Sequence, residues 1–250
     1  MALVSVHGVS KVFANGVHAL EGASLDVQEG EFLSVLGPSG CGKSTLLRLI
    51  AGLTALTAGT ISWSDSRRDL GFVFQEPTLM PWATTLANVV LPLKLRGIAG
   101  SEREARAAEA IKRVGLGGFE RAYPRELSGG MKMRVSIARA LVTAPRLLLM
   151  DEPFAALDEF TRFKLNDDLL ELWQRNRLTI LFVTHSIREA VFLSERVIVM
   201  SPRPGRIVAD LAVDLPPQRD VALRLGHAFA DQCARVTSAL GDAFLTKAAS

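Results

Sequence analysis

A single stretch, FLSVLGPSGCGKSTLLRLI at residues 32–50, constrains the fold of this chain more than any other. It runs from a short apolar segment into a glycine-rich loop and then into a helix-like segment. Closely spaced glycines let backbone N–H groups turn towards an anion, and the start of a helix adds the positive end of its dipole. The loop has the spacing G-x-x-x-x-G-K-[ST] and consists of Gly37, Pro38, Ser39, Gly40, Cys41, Gly42, Lys43, Ser44 and Thr45.

This pattern predicts a strand, a phosphate-binding loop and a helix, in that order. Lys43 would reach the β- and γ-phosphates of a nucleotide, and the hydroxyl of Ser44 would bind Mg²⁺. The alternative is a glycine-rich turn that precedes Lys-Ser by chance. Such a turn would have no reason to follow an apolar strand and open a helix, as this one does.

A second apolar run, LLLMD at residues 147–151, ends in adjacent acids. Asp151 is predicted to lie on the metal side of the site. Glu152 would act as the general base for an attacking water molecule. The alternative is that these two residues are solvated loop acids. A phosphate-binding loop lies upstream and Pro153 fixes the following turn, and both observations argue against that alternative.

Three single residues are candidates for contacts at the nucleotide site, and their roles depend on the rest of that site. Gln75 ends the apolar run GFVF, where its amide could contact Mg²⁺ or the attacking water. His185 follows the run TILFVT and could donate a hydrogen bond to a γ-phosphate. Phe13 could stack on an adenine ring. Taken alone, the first two equally suit polar strand ends, and Phe13 suits the core.

The segment LSGGMKMR at residues 127–134 predicts a further anion site. Ser128 is a good N-cap, and Gly129 and Gly130 allow an anion to approach the backbone closely. No acid, base or metal ligand stands beside them in sequence, so the rest of this site must lie elsewhere.

Strand-like and helix-like segments alternate along the chain, which favours an α/β fold. The runs at 147–151 and 179–184 are continuously apolar and end in polar residues, as buried parallel strands do. Residues 77–125 read as a mostly helical insert, residues 159–176 as a helix, and residues 219–245 as a closing helix. Capping boxes are predicted at Ser101–Glu104 and Ser186–Glu189.

Composition excludes several classes of protein. The 250 residues are 48% hydrophobic and 22% charged with a net charge of +3, and no block of like charges indicates a nucleic-acid surface. Two cysteines form no disulfide framework. No signal-peptide pattern is present, and no apolar run approaches the roughly 18 residues that span a bilayer. We therefore expect a cytoplasmic protein that meets a membrane only through a partner.

Taken together, these residues resemble the nucleotide-binding subunit of an ABC transporter. The order along the chain is that of the family: Phe13 as A-loop aromatic, the P-loop 37–45, Gln75 as Q-loop, LSGGM (127–131) as signature, LLLMDE (147–152) as Walker B, AALD (155–158) as D-loop and His185 as H-switch. Residues 73–89 and 203–208 resemble the ATPases of nitrate, sulfonate and taurine importers.

The chain departs from the family pattern at a few positions. Phe13 replaces the commoner tyrosine, Met133 stands where a polar residue is usual, and Ala155 replaces the commoner serine of the D-loop. The segment 64–74 is shorter than usual, which predicts a trimmed antiparallel subdomain. None of these changes removes a catalytic group.

The resemblance implies a P-loop ATPase core with a small antiparallel β subdomain. The ATPase domain would span residues 1–215, with a helical subdomain at about 77–127 and a C-terminal helical extension at 216–250. ATP and Mg²⁺ would bind, the metal through Ser44, Gln75 and Asp151. Ser128, Gly129 and Gly130 would bind the γ-phosphate of ATP held by the P-loop of a second subunit, so a homodimer is expected.

The resemblance further implies an ATPase at the cytoplasmic face of the inner membrane. It would drive import of a small solute, such as a sulfonate, taurine or nitrate, through a separate permease fed by a solute-binding protein. A soluble ABC ATPase acting on ribosomes or DNA is the alternative, but such proteins carry two cassettes or a long coiled-coil insert. A regulator that binds nucleotide without turnover is disfavoured by Glu152.

Overall fold

The computed structural model describes residues 1–65 and 69–248 of the protein, with side chains described as far as residue 243. The chain divides into two compact units. The first unit combines Met1–Arg68 with Arg177–Ser250, and the second is Asp69–Asn176. Residues 66–68 of the segment expected to be shortened, and residues 249–250 of the expected C-terminal extension, lie outside the described residues.

The strands are β1 (Ala2–Val12), β2 (His18–Gln28), β3 (Phe32–Leu36), β4 (Ala58–Trp63), β5 (Leu70–Val73), β6 (Leu147–Asp151), β7 (Thr179–Thr184), β8 (Arg196–Met200) and β9 (Ile207–Ala212). The helices are α1 (Lys43–Ile50), α2 (Thr85–Leu95), α3 (Gly100–Arg113), α4 (Gly129–Leu141), α5 (Glu159–Asn176), α6 (Ile187–Leu193), α7 (Val221–Leu225) and α8 (His227–Ala248). A single 3₁₀ turn covers Pro124–Glu126.

An antiparallel sheet in the first unit has the strand order β2-β1-β4. Val4, Val6 and Val9 of β1 are fully buried, while His7 and Gly8 between them are exposed. A strand with one buried and one solvated face shows such a mixture of apolar and polar residues. This sheet is the small antiparallel subdomain predicted from the sequence.

A second group of strands in the first unit is built on β3. Every residue of β3 is buried, and the strand lies between β7 and β8, pairing with both in parallel. β9 continues this group by pairing antiparallel with β8. In the second unit, β5 and β6 also pair in parallel. Burial on both faces explains the continuous apolar runs, and the α/β class with a parallel core is confirmed.

Helices α2, α3 and α4 pack against one another in the second unit. Thr84 caps α2 by accepting a hydrogen bond from the N–H of Ala87 at 3.2 Å. The predicted capping box at Ser101 is wrong, because α3 begins two residues earlier than that box requires, with Ala99 as its N-cap. Ser101 therefore lies inside the first turn, where its hydroxyl cannot replace a missing helical bond.

The C-terminal segment forms two helices where the sequence predicts one. The Asp220 carboxylate accepts a hydrogen bond from the N–H of Leu223 at 2.9 Å and so caps α7. Gly226 then separates α7 from α8 with an extended backbone, in keeping with the low helix propensity of glycine. Helix α8 packs against α6 and β8. Among the described residues, no helix combines the length and apolar character needed to cross a bilayer.

The loop between β8 and β9 packs tightly against the loop that follows β3. Arg203 Nε donates to the carbonyl of Gly40 at 3.0 Å, and the Gly205 N–H donates to the carbonyl of Ala19 at 3.0 Å. A Cβ atom at Gly205 would lie 2.0 Å from the carbonyl oxygen of Cys41. No side chain fits at that distance, so this contact requires glycine.

We predict that Gly205→Ala destabilises the protein. The added methyl group must displace the backbone of Cys41, and overpacking of this kind costs about 1–3 kcal/mol. Denaturant-induced unfolding measures the change in free energy. The matched control is Gly241→Ala in α8, where a Cβ atom would meet nothing within 4 Å and where alanine is the better helix former. Equal unfolding midpoints for Gly205→Ala and the wild type would contradict the proposed clash.

Candidate active site

The loop between β3 and α1 begins its helix without a side-chain cap. Gly42 is the N-cap, in the left-handed region at φ 111°, and a Cβ atom there would lie 2.6 Å from the carbonyl oxygen of Ala19. Only glycine meets both conditions. No described side chain caps the first turn of α1, so an anion suits this helix start.

Lys43 lies inside this loop with only 4% of its surface exposed. Its Nζ donates to the carbonyl oxygens of Gly37 at 2.9 Å and Pro38 at 3.1 Å. A buried ammonium group needs nearby negative charge or carbonyl dipoles. The loop therefore combines a positive charge with an uncapped helix start, and these residues fit the phosphates of a nucleotide.

His185 lies at the same edge of the first unit as this loop. In the parallel pairing of β3 and β7, Leu36 is opposite Thr184. Gly37 and His185 are the next residue on each strand, so the loop and the histidine start from neighbouring strand ends. The structure thus brings together two candidates that are 148 positions apart in the chain.

Phe13 lies in the turn between β1 and β2 and is 39% exposed, so its alternative assignment to the core is wrong. Its backbone N–H donates to the carbonyl of Val17 at 2.9 Å, which closes the turn. Lys11 Nζ lies 5.2 Å from the ring centroid. An exposed aromatic ring held on a closed turn is suited to stacking on a base.

The second unit also gathers candidates at parallel strand ends. Val73 of β5 is opposite Met150 of β6, so Gln75 and Glu152 each follow two residues later. Gln75 does not end the strand as the sequence predicts, because β5 stops at Val73. Asp151, the last residue of β6, is buried, and Gln75 is exposed.

Glu152 has a backbone conformation that is rare for its residue type. Its φ is 46°, in the left-handed region, and its carbonyl accepts a hydrogen bond from the N–H of Ala155 at 3.2 Å. Holding a non-glycine residue there costs about 1–3 kcal/mol, and such strain concentrates at functional sites. This observation supports a functional role for Glu152.

Ser128 caps α4 as the sequence predicts, since its Oγ accepts a hydrogen bond from the N–H of Met131 at 3.3 Å. Ser128 and Gly129 are exposed, so an anion can reach this helix start. A Cβ atom at Gly130 would lie 2.7 Å from Cγ2 of Thr161, which requires glycine there. Met133 is buried, so this departure from the family pattern is used for packing.

The D-loop residues lie beside these glycines in the second unit. A Cβ atom at Gly129 would lie 3.3 Å from Cδ2 of Leu157. The Asp158 carboxylate accepts a hydrogen bond from the backbone N–H of Thr161 at 2.9 Å, and this bond lowers the pKa of Asp158. Asp158 therefore holds a negative charge at the start of α5, where the helix dipole favours it.

Known proteins with similar sequences identify the family to which this chain belongs. Residues 20–155 match the family described as ABC transporter. A taurine import ATP-binding protein of Rhizobium johnstonii is 50% identical over 81% of this chain and 79% of its own length. A nitrate import ATP-binding protein of Synechocystis is 47% identical over 85% of this chain and 83% of its own length. The chain belongs to the ABC transporter family.

Solved structures agree with this assignment. A dimeric bacterial ABC transporter cassette is similar with a TM-score of 0.75 and 36% identity, covering 85% of this chain and 100% of that one. The same cassette has also been solved in a post-hydrolysis state bound to ADP and Pi. As an ABC cassette with this fold, the chain is an ATPase.

One half-buried arginine of this ABC cassette escapes prediction from the sequence. Arg139 of α4 donates to the carbonyls of Pro77 and Thr78, each at 2.8 Å, and burial lowers the pKa of its guanidinium. Thr78 itself has a φ of 47°. Arg139 thus fixes the backbone just after Gln75. In the sequence it looks like any solvated arginine on a helix, because its partners are carbonyls about 60 positions away.

A second fixed point of the same segment is Asn88 in α2. Its fully buried amide donates to the carbonyls of Met80 at 3.2 Å and Ala83 at 3.1 Å and accepts from the N–H of Met80 at 2.8 Å. The sequence signal for such a residue is weak. An asparagine inside an apolar helix indicates that its amide is buried and hydrogen-bonded, but it does not show which residue is the partner.

We predict that hydrolysis depends on Glu152. The variant Glu152→Gln keeps the shape of the side chain but removes the base, so ATP binding should persist while turnover falls about 10²–10⁴-fold. Steady-state ATPase assays and nucleotide titration measure the two effects. Glu159→Gln, an exposed glutamate in the first turn of α5, is the matched control and should turn over normally. Normal turnover in Glu152→Gln would remove the assignment.

Proposed function

We propose that this protein is the ATP-hydrolysing subunit of an importer for a small oxyanion, of the sulfonate, taurine or nitrate class. The observation that carries the proposal is the exposed start of α4 at Ser128 and Gly129, an anion site with no acid or base beside it in sequence. Similarity to taurine and nitrate import ATP-binding proteins supports the class of solute.

The chemistry is hydrolysis of the terminal phosphoanhydride of ATP. Phe13 stacks on the adenine ring, the loop 37–45 surrounds the phosphates, and Lys43 neutralises charge on the β- and γ-phosphates. Glu152 takes a proton from the attacking water as its oxygen bonds to the γ-phosphorus and the bond to the β–γ bridging oxygen breaks. His185 donates a hydrogen bond to the γ-phosphate, where negative charge accumulates.

We propose Ser44 in the first unit and Gln75 and Asp151 in the second as the Mg²⁺ ligands. A hydroxyl, an amide oxygen and a carboxylate are the hard oxygen ligands that this ion takes. When bound, Mg²⁺ supplies neutralisation of phosphate charge and orients the phosphate oxygens.

The signature residues act on a second copy of the chain. Ser128, Gly129 and Gly130 bind the γ-phosphate of the ATP held by the partner's P-loop, and a two-fold dimer produces two such shared sites. The dimeric state of the similar bacterial cassette supports this arrangement. It also explains why the start of α4 has no base of its own.

We predict that two inactive variants complement each other. Lys43→Ala damages the P-loop, and Ser128→Arg places bulk and positive charge where the partner's γ-phosphate binds. Each homodimer has two damaged sites and should be nearly inactive. A mixed dimer has one site with both lesions and one with neither, so mixing should raise the ATPase rate above that of either variant alone.

The ATPase rate is measured against the mixing ratio, with subunit exchange verified by labelled subunits. A covalently linked dimer with both lesions in one chain is the control, because each of its shared sites keeps one defect. Rescue in that linked dimer would contradict a site in which one chain's signature completes the other's P-loop. No rescue in the mixture despite exchange, together with an inactive linked dimer, would show that both shared sites must be intact for turnover.

The segment 76–92 is the contact with the membrane permease. A groove of about 530 Å³ in the second unit is lined by Phe72 and Phe74, whose rings stack at 4.3 Å, together with Leu91 and Leu95. Trp82 is 76% exposed, which leaves a large apolar surface open to solvent beside a backbone fixed by polar contacts. The permease would hold this ATPase at the cytoplasmic face of the inner membrane and receive solute from a binding protein.

We predict that Trp82→Glu uncouples transport from hydrolysis. A charge on this exposed apolar side chain should reduce solute uptake about tenfold or more, since hot-spot losses exceed about 1.4 kcal/mol, while ATPase activity of the purified protein stays normal. Uptake of taurine, an alkanesulfonate and nitrate is measured in cells whose only source of this subunit is the variant.

Leu53→Glu is the control, because Leu53 is also exposed and apolar but lies in the first unit. Normal uptake with Trp82→Glu would contradict the proposed contact.

A further inference from the structure

The short helix α6 begins immediately after His185 and is tied to the strand that carries it. Ser186 Oγ accepts a hydrogen bond from the N–H of Glu189 at 3.3 Å, which is one of the two bonds of the predicted capping box. Thr184 links the other two groups, because its hydroxyl donates to the Glu189 carboxylate at 2.5 Å and accepts from the Ser186 N–H at 3.0 Å. Both neighbours of His185 are therefore bonded to α6 and to each other.

The other end of α6 is closed by Arg219, which follows β9. One terminal nitrogen of its guanidinium donates to the carbonyls of Val191 at 3.2 Å, Phe192 at 2.7 Å and Ser194 at 3.0 Å. These carbonyls belong to the last turn of α6 and the residue after it, where a helix leaves its acceptors unsatisfied. A cation is also favourable at that end of the helix dipole.

Burial lowers the pKa of Arg219 to about 10, and the nearby Glu195 carboxylate acts against this shift. The guanidinium consequently keeps its charge at neutral pH. Its three bonds to α6 therefore persist under the conditions in which the enzyme works.

Two stacked pairs join the side of α6 to the same C-terminal segment. Arg188 of α6 lies 5.0 Å from the ring centroid of Phe229, and Arg224 lies 3.7 Å from that of Phe192 in α6. The two rings meet edge to face at 6.4 Å, and Arg188 donates to the carbonyl of Arg224 at 3.4 Å. Phe192 and Phe229 are both buried, while Arg188 is exposed and covers the Phe229 ring from the solvent side.

We propose that residues 216–229, the C-terminal clasp, position His185 for its contact with the γ-phosphate by fixing α6, with Arg219 as the principal positioning residue. A helix of seven residues has little stability of its own, so tertiary contacts decide where α6 lies. Movement of α6 would pull on Thr184 and Ser186 through Glu189. This inference rests on the proposed role of His185 in hydrolysis.

The test begins with Arg219→Met, which keeps length and apolar packing but removes the charge and the donors. We expect the kcat for ATP hydrolysis to fall about tenfold, because a shift of about 1 Å in a catalytic group costs up to about 10²-fold. The KM for ATP should stay within about twofold, since the P-loop holds the nucleotide. Arg219→Lys keeps the charge and three donors and should restore most of the rate.

Arg235→Met is the matched control, an exposed arginine of α8 that bonds only within its own helix among the described contacts, to Gln232, and it should leave kcat unchanged. The decisive measurement is a double-mutant cycle. In a His185→Ala background, Arg219→Met should lower kcat no further, because the group that it positions is gone. An equal fold-loss in both backgrounds would overturn the proposal.

Two further outcomes are interpretable. If Arg219→Met unfolds, Arg224→Met removes one stack only and should give a smaller loss of kcat that also disappears with His185→Ala; a loss that remains overturns the proposal. If His185→Ala turns over normally while Glu152→Gln does not, the role of His185 and this inference both fall, but the ATPase assignment stands. Absence of turnover in the wild type would contradict the proposed function itself.

Discussion

Close backbone packing around the loop after β3 is the constraint on which the rest of the structure depends. A Cβ atom at Gly37 would lie 2.9 Å from Cys41 Sγ and 3.0 Å from the carbonyl of Met200, and one at Gly42 would lie 2.6 Å from the carbonyl of Ala19. The atoms that leave no room come from the strands β2 and β8 as well as from the loop itself. The glycines therefore let the loop pack directly against these strands, so the packing of the first unit and the shape of its anion site depend on the same residues. The absence of side chains at these glycines also brings the backbone N–H groups close enough together to share one anion.

Local rules suffice to predict much of this fold and site. The runs that became β3, β6 and β7 are apolar throughout because both faces of a parallel strand are buried, and the polar residue after each run marks the edge where chemistry can occur. The position of His185 beside Gly37 follows from that logic once the strands pair in register. Ser128 is predictable for a similar reason, because an N-cap depends on residues only three positions apart.

The features that escape prediction depend on partners distant in sequence. Arg139 and Arg219 look like solvated charges, yet both bond to carbonyls of other segments. Glu189 is expected in a capping box with Ser186, but the bond of its carboxylate to the strand-end residue Thr184 is not. A carbonyl carries no signal in the sequence, since every residue has one. The capping box at Ser101 is wrong although its sequence motif is complete, because the helix begins two residues earlier. The break at Gly226 is not predictable from the glycine alone, because a glycine only weakens a helix.

Gln75 and His185 are both expected to sense the nucleotide, and each is followed by a segment that polar contacts hold in place. After Gln75, Arg139 and Asn88 fix the backbone with partly buried hydrogen bonds while Trp82 stays exposed. After His185, Glu189 and Arg219 fix a helix that would be marginal by itself.

A side chain can transmit displacement only if the segment that carries it moves as a body, because a pliable segment absorbs the motion in its own dihedral angles. Buried polar contacts provide that stiffness, since breaking one leaves an unsatisfied group at a cost of about 1–3 kcal/mol. Under the function that we propose, Arg139, Asn88, Glu189 and Arg219 act on transport through the segments that they fix, and selectivity for the solute falls to the permease and binding protein.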